Sequence, residues 1–214
     1  MTEDDLRIDK SSRAHMTITS PATESAVGST VLNHSADAVW AVIRDFNSYP
    51  TYIDGVTESH LEDAMRGDEV GCVRRFVYNG NTIRQTLTGH CDAELWFTHA
   101  GCDPLEWPID GENVSPVDYT NRVQVRRMTD ANRALVEWSL TFKCTIASDL
   151  ERWKRYFENS IPVWLASLKS HLDARAGVCR KGGDVKVIAA IEDPAVIKRM
   201  LGSSRQPTIR RAAP

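Results

Sequence analysis

Two sets of side chains in this 214-residue sequence could do chemistry. The first is carried by strand-like segments. Alternation puts Cys72, Arg74, Phe76 and Tyr78 on one face of one segment, and Gln85 with Leu87 on one face of the next. It puts Tyr119, Asn121, Val123 and Val125 on one face of a third. If these faces converge, a guanidinium, phenols and carboxamides meet. A buried guanidinium is costly unless paired, and it clamps a carboxylate, phenolate or enolate well. Tyr78 and Tyr119 could orient a carbonyl or act as weak acids, while Gln85 and Asn121 could hold either end of a polar ligand. The plainer alternative is that Arg74 pairs with a nearby acid and the tyrosines are core residues with wet tips.

The second set is His90, Cys91, Asp92, His99 and Cys102. The His99-x-x-Cys102 spacing could chelate zinc at a bend. No second matched pair follows, and no metal is assigned. His99 is expected at a pocket mouth or as a general base, because an ordinary imidazole pKa of about 6.5 suits proton transfer at neutral pH. The Gly101–Pro116 stretch exceeds the ~12 residues beyond which a connection in a compact domain is often a lid or binding loop, and it carries Trp107. That indole could close over a ligand or plug the end of a sheet.

These residues need elements to position them. Val27–Asn33 reads as a strand after a polar, aperiodic lead-in covering residues 1–24, expected to be disordered. Ser35 is a helix N-cap, Val39, Trp40, Val42, Ile43 and Phe46 form a helical face, and a second short turn follows around Tyr49–Ile53. Strand signals then run over Val56–Leu61, Glu69–Tyr78, Thr82–Asp92, Glu94–Ala100, Val117–Met128 and Arg133–Cys144. Asn79-Gly80 marks a hairpin, since both tolerate positive φ. In the last strand Val136, Trp138, Leu140 and Phe142 should face inward, because the opposite choice buries Glu137, Ser139 and Thr141. Ser148-Asp-Leu-Glu151 reads as a capping box. From it Leu150, Trp153, Phe157, Ile161, Trp164, Leu168 and Leu172 recur at helical spacing up to about Gly177, with Pro162 expected to kink the helix. The class is α+β: a curved seven-stranded antiparallel sheet around one long C-terminal helix, with two short helices after the first strand.

This order resembles the helix-grip superfamily, which includes START lipid-transfer domains, polyketide cyclases, birch-pollen-type allergens and plant abscisic acid receptors. Trp40-Ala-Val-Ile-Arg-Asp-Phe46 with Tyr49-Pro50 resembles its Trp-x-x-x-x-Asp-Phe opening, and Val70-Gly-Cys-Val-Arg74 its Val-Gly-x-Val-Arg strand. Leu87, Asp92 and Trp138–Phe142 fall where related patterns do. The resemblance covers about residues 25–175. It implies an apolar pocket between sheet and helix, and, from polyketide cyclases, aldol cyclisation and dehydration without a cofactor. On that reading Arg74, His99 and Tyr119 are the candidate catalytic groups. Phe76, Tyr78, Gln85, Leu87, Trp107, Asn121, Trp138, Phe157 and Trp164 are candidates to bind the substrate. A non-catalytic carrier or receptor for a lipid or aromatic ligand is the alternative.

The domain is read as residues 25–177, followed by a tail over 178–214. From Val178 on, eight bases face three acids, so the tail is net +5 and the other 177 residues −8. Cys179-Arg-Lys-Gly-Gly183 and the run from Val187 to Leu201 resemble the extreme C-terminus of rolling-circle insertion-sequence transposases. That likeness carries no catalytic part, and at most a short helix is expected there. With a net charge of −3, no nucleic-acid partner is expected. No window has the ~18 apolar residues of a membrane span, and the start lacks a secretory signal, so the expectation is a cytoplasmic protein without membrane insertion. Nothing in the sequence fixes an oligomeric state. The five cysteines form no CxxC pair and read as free thiols. No P-loop, GxGxxG, GxSxG or HExxH motif occurs.

Overall fold

Turn chemistry and strand alternation lay out the sheet. A computed structural model describes residues 17–129 and 132–176. Strand β1 (Thr17–Leu32) leads into helix α1 (Ala36–Ile43) and the single turn α2 (Tyr49–Tyr52). Strands β2 (Val56–Leu61), β3 (Val73–Tyr78), β4 (Asn81–Cys91), β5 (Trp96–Gly101), β6 (Asp118–Arg127) and β7 (Ala134–Ile146) follow, then helix α3 (Ala147–Arg175). All pairings are antiparallel, in the order β1-β7-β6-β5-β4-β3-β2. The expected α+β helix-grip architecture is therefore the observed one: a curved sheet gripping one long helix.

The local signals act as their chemistry requires. The Ser35 hydroxyl accepts from the Ala38 amide at 3.2 Å and caps α1. Asn79 and Gly80 both take positive φ, 48° and 82°, and join β3 to β4. β7 alternates as its sequence demands, with Val136, Trp138, Leu140 and Phe142 buried. The inner stripe of α3 is Leu150, Trp153, Phe157, Ile161, Leu165, Leu168 and Leu172. It lies so close on β1 that a Cβ at Gly28 would stand 2.5 Å from Ile161 Cγ2. Here glycine is a condition of the packing.

Three expectations are corrected. β1 starts at Thr17, ten residues before Val27, so the sheet takes in the end of the expected lead-in. β3 starts at Val73, because Gly71 at φ +101° turns the chain just before it. The Ser148–Glu151 capping box does not form. Ile146 stands at the N-cap without a side-chain bond, and α3 continues directly from β7. The Asp149 carboxylate instead accepts from the Ser115 amide at 2.9 Å and ties the long loop to the first turn of α3. Residues 1–16 and the tail from 177 onward lie outside the described residues. Among the described residues no helix is long and apolar enough to cross a membrane.

Candidate functional site

Sheet register, read across four strands, assembles the polar centre. Arg74 on β3 pairs with Gln85 on β4, which pairs with Gly101 on β5. On β6, Tyr119 follows in that row, since Ala100 pairs with Thr120. One row along the strands lie Leu87, His99, Asn121 and Leu140. Side chains that are far apart in sequence thus point from one concave surface toward α3.

Arg74 is wholly buried. Its Cζ stands 3.8 Å from the Phe46 ring centre, 3.5 Å from Tyr49 and 4.8 Å from Phe76. The guanidinium donates to the Phe46 carbonyl and, through Nε at 3.1 Å and through Nη2, to Gln85 Oε1. No ion pair holds it among the described residues. Its charge is therefore balanced by rings and neutral acceptors alone, an arrangement in which cation–π attraction is strongest because the rings are desolvated.

The charge is passed on as dipoles. Gln85 Nε2 donates at 2.8 Å to the Tyr119 hydroxyl. Gly101 makes this geometry possible, because a Cβ there would lie 2.6 Å from Tyr119 Cε1. Burial pushes the Tyr119 hydroxyl well above the ordinary phenol range, despite the Gln85 bond and the Arg74 charge, so it keeps its proton. Asn121 Oδ1 accepts from Trp138 Nε1 at 3.0 Å. His99 Nε2 shares a 3.2 Å hydrogen bond with the Tyr49 hydroxyl, while its Nδ1 has no partner. Burial, and then the Arg74 charge, hold the His99 imidazole well below its ordinary pKa. It is a neutral, weakened base, not the half-titrated group that its unperturbed pKa suggested.

These residues border a cavity between sheet and α3 of about 50 Å³, measured as room for the centres of water molecules. Of the residues singled out from sequence, Phe76, Tyr78, Gln85, His99, Trp107, Tyr119, Asn121, Trp138, Phe157 and Trp164 line it. Arg74 and Leu87 do not: both are fully buried, Arg74 behind Gln85 and its aromatic cage. Tyr49, Ile53, Leu105 and Tyr156 line it as well and were missed. Tyr156 carried no signal, since one position from Phe157 it lies off the buried stripe of α3. Tyr49 was visible only as part of the Tyr-Pro turn. Trp164 Nε1 donates to the Tyr78 hydroxyl at 3.0 Å, closing one wall.

The loop between β5 and β6 closes another. Leu105 bridges Val117, Ile109 bridges Glu112, and Trp107 packs edge-on against Trp153 and Tyr156. Trp153 Nε1 donates to the Ser115 carbonyl at 2.9 Å. Trp107 thus sits as a plug against α3. Ile83, Leu105 and Trp107 also line an outer groove between Asn81–Arg84 and Asp103–Trp107, so these three side chains separate the groove from the cavity.

The second sequence cluster disperses. His90 Nε2 meets the Arg44 carbonyl at 3.0 Å, Asp92 takes Trp40 and Arg44, Cys102 Sγ contacts the Thr86 hydroxyl, and only His99 reaches the cavity. Among the described residues, no group of three metal-ligating side chains gathers.

The sequence profile described as polyketide cyclase/dehydrase and lipid transport matches residues 23–173. No curated protein matches. Among solved structures, XoxI from Bacillus cereus is 28% identical, with a TM-score of 0.57 over 71% of this chain and 97% of its own. The di-domain ARO/CYC protein BexL of the BE-7585A biosynthetic pathway has a TM-score of 0.57 at 13% identity, over 70% of this chain and 46% of its own. Norcoclaurine synthase from Thalictrum flavum has 0.55 at 10% identity, over 74% and 99%. The latter two share the fold.

Proposed function

The chain belongs to the polyketide cyclase/dehydrase and lipid transport family, and on that premise we propose that it acts on a small aromatic or polyketide-like molecule as a cofactor-independent cyclase, dehydratase or lyase. The observation that carries the reading is His99: a neutral imidazole on the cavity wall whose Nδ1 has no protein partner. Buried polar atoms are almost always bonded, to protein or to water, so a ring nitrogen on the cavity wall without a protein partner is available to whatever occupies the cavity, a water or a ligand atom. In the tautomer whose Nε2–H donates to the Tyr49 oxygen, Nδ1 presents a lone pair. It would take a proton from a carbon next to a carbonyl; the electrons of that C–H bond form C=C as hydroxide leaves, and the imidazolium returns the proton to make water. Tyr119 would steady the carbonyl.

The cavity has room for a few waters, whereas a single aromatic ring needs roughly 150 Å³. Binding a ring therefore requires the lining to move, and the Ile83–Leu105–Trp107 partition, shared with the outer groove, is one place for it. A non-catalytic carrier is the second reading, favoured by a wall made mostly of aromatic and aliphatic side chains.

Native mass spectrometry of the purified protein should show a co-purifying aromatic or acyl species. With that species in hand, His99→Gln should abolish turnover while leaving affinity within about tenfold, and a loss of affinity alone would make the protein a carrier. An empty cavity, with no thermal shift across aromatics, polyketide fragments and fatty acids, would overturn both readings.

A further inference from the structure

We infer that the cavity binds its ligand through an oxyanion, a phenolate or enolate oxygen, received by the Tyr119 hydroxyl and the Asn121 amide, with Arg74 acting from behind without touching it. This rests on the pocket reading above and names the chemistry that the pocket selects.

The argument begins with which hydrogens are left over. Gln85 occupies a lone pair of the Tyr119 oxygen, so that phenol's hydrogen is free to be given. Trp138 occupies Asn121 Oδ1, so what Asn121 has left is its NH2 group. The two residues sit two apart on β6, hence side by side on the concave face, with about 6.6 Å between their Cα atoms. A ligand atom lying between them meets donors.

The sign of the surrounding field agrees. No aspartate or glutamate lines the cavity. The buried charge beside it is Arg74, which has no ion-pair partner among the described residues. Its attraction reaches Tyr119 through Gln85: the guanidinium polarises Oε1, the amide hydrogen becomes a stronger donor, and the phenol that accepts it becomes a stronger donor in turn. The aromatic cage keeps the guanidinium from swinging into the cavity to pair directly. Burial works against any anion here and keeps Tyr119 itself protonated. What favours the anion of a ligand over its neutral acid is the pair of donors that would meet one oxygen directly, with the positive charge held close behind them. That placement also makes Arg74 a positioning residue, in contrast to the direct clamp expected from sequence.

The test uses 4-nitrophenol, whose phenolate is coloured, and nitrobenzene, which has the ring but no ionisable group. Spectrophotometric pH titration in the presence of the protein should show the bound phenol ionising at least one unit below the free one, an anion preference of about tenfold or more. Arg74→Met and Tyr119→Phe should each remove most of that shift while nitrobenzene binding, read by calorimetry, stays within a few-fold. Tyr119→Phe keeps the ring and loses one hydroxyl, so it decides the matter should Arg74→Met fold poorly. An unchanged or raised ionisation point, with nitrobenzene still bound, would overturn the oxyanion site and leave the pocket standing. Binding of neither probe, by the wild type, would overturn the inference together with the pocket.

Discussion

Arg44, at the C-cap of helix α1, and Arg74, on β3, use the same functional group in opposite ways. Arg44 is 37% exposed and makes a bidentate bond to Asp92, at 3.0 and 2.9 Å, and a 2.9 Å bond to Asp68. Asp92 also receives Trp40 Nε1 at 2.7 Å. Arg74 is fully buried and has rings, a carbonyl and an amide, but no acid among the described residues. The Trp40–Phe46 segment reaches both: Trp40 and Arg44 feed the outer network, and the Phe46 ring and carbonyl feed the inner cage. The outer arrangement is what fastening a helix to a sheet calls for, since paired charges in water cost little to assemble. A buried cation without a counter-ion is a poor way to fasten anything. The contrast separates two uses of Arg74: its bulk fills the core, and on the oxyanion proposal its charge serves the cavity.

That separation of bulk from charge gives the largest expected effect. Arg74→Ala empties the cage and strands Gln85 Oε1 and the Phe46 carbonyl, so denaturant unfolding should show a loss of about 2–5 kcal/mol. Arg74→Met keeps most of the volume and removes the buried charge, and should recover more than half of that loss. Methionine as damaging as alanine would show the charge itself to be structural and would erase the contrast with Arg44.

The inner region should also answer to mild acid. His99 folds neutral, with its pKa well below that of an exposed imidazole, because of burial and the Arg74 charge. Above about pH 6.5 neither folded nor unfolded chains protonate it, and its contribution is fully present. As pH falls below that, the unfolded state takes up the proton first, and stability declines by up to about 1.4 kcal/mol per pH unit. His99→Gln should flatten the part of the stability curve between about pH 6.5 and 5 that is due to this group. A variant whose curve runs parallel to the wild type through that window would show His99 to be protonated within the fold.

What could be seen beforehand divides along the same line. Strand order, hairpin turn and inward faces were legible because alternation and turn residues are local, and alternation alone brought Arg74, Gln85, Tyr119 and Asn121 onto the concave surface. The partners were not legible. That Gln85 stands between Arg74 and Tyr119 depends on a register in which Gly101 leaves room for the Tyr119 ring, and register between β4, β5 and β6 is a tertiary fact. The Tyr49 contact to His99 comes from a turn fifty residues away. The desolvation that neutralises His99 likewise belongs to its surroundings, so its ordinary pKa was a misleading guide. The capping box failed because β7 runs straight into α3 and leaves Ser148 inside the helix instead of at its cap.

The smallest effect belongs to the outer network, and its pH range separates it from the inner one. Asp92 is held at about pKa 2 by Arg44 first and by the Trp40 indole next. Its side chain is 58% exposed, so water and salt screen most of that attraction. Arg44→Ala should therefore cost less than about 1 kcal/mol at low salt and still less at high salt. Because the folded carboxyl titrates below its unfolded value of about 3.9, the contribution is complete above that pH and fades as pH falls toward 2. The Arg44→Ala and wild-type unfolding curves should thus converge in the acid limb, well below the window in which His99 acts. An Arg44→Ala loss as large as that of Arg74→Ala, or one indifferent to salt, would mean that this pair is desolvated like the inner cage. The two arginines would then differ in position alone, and the unpaired charge of Arg74 would need a structural explanation.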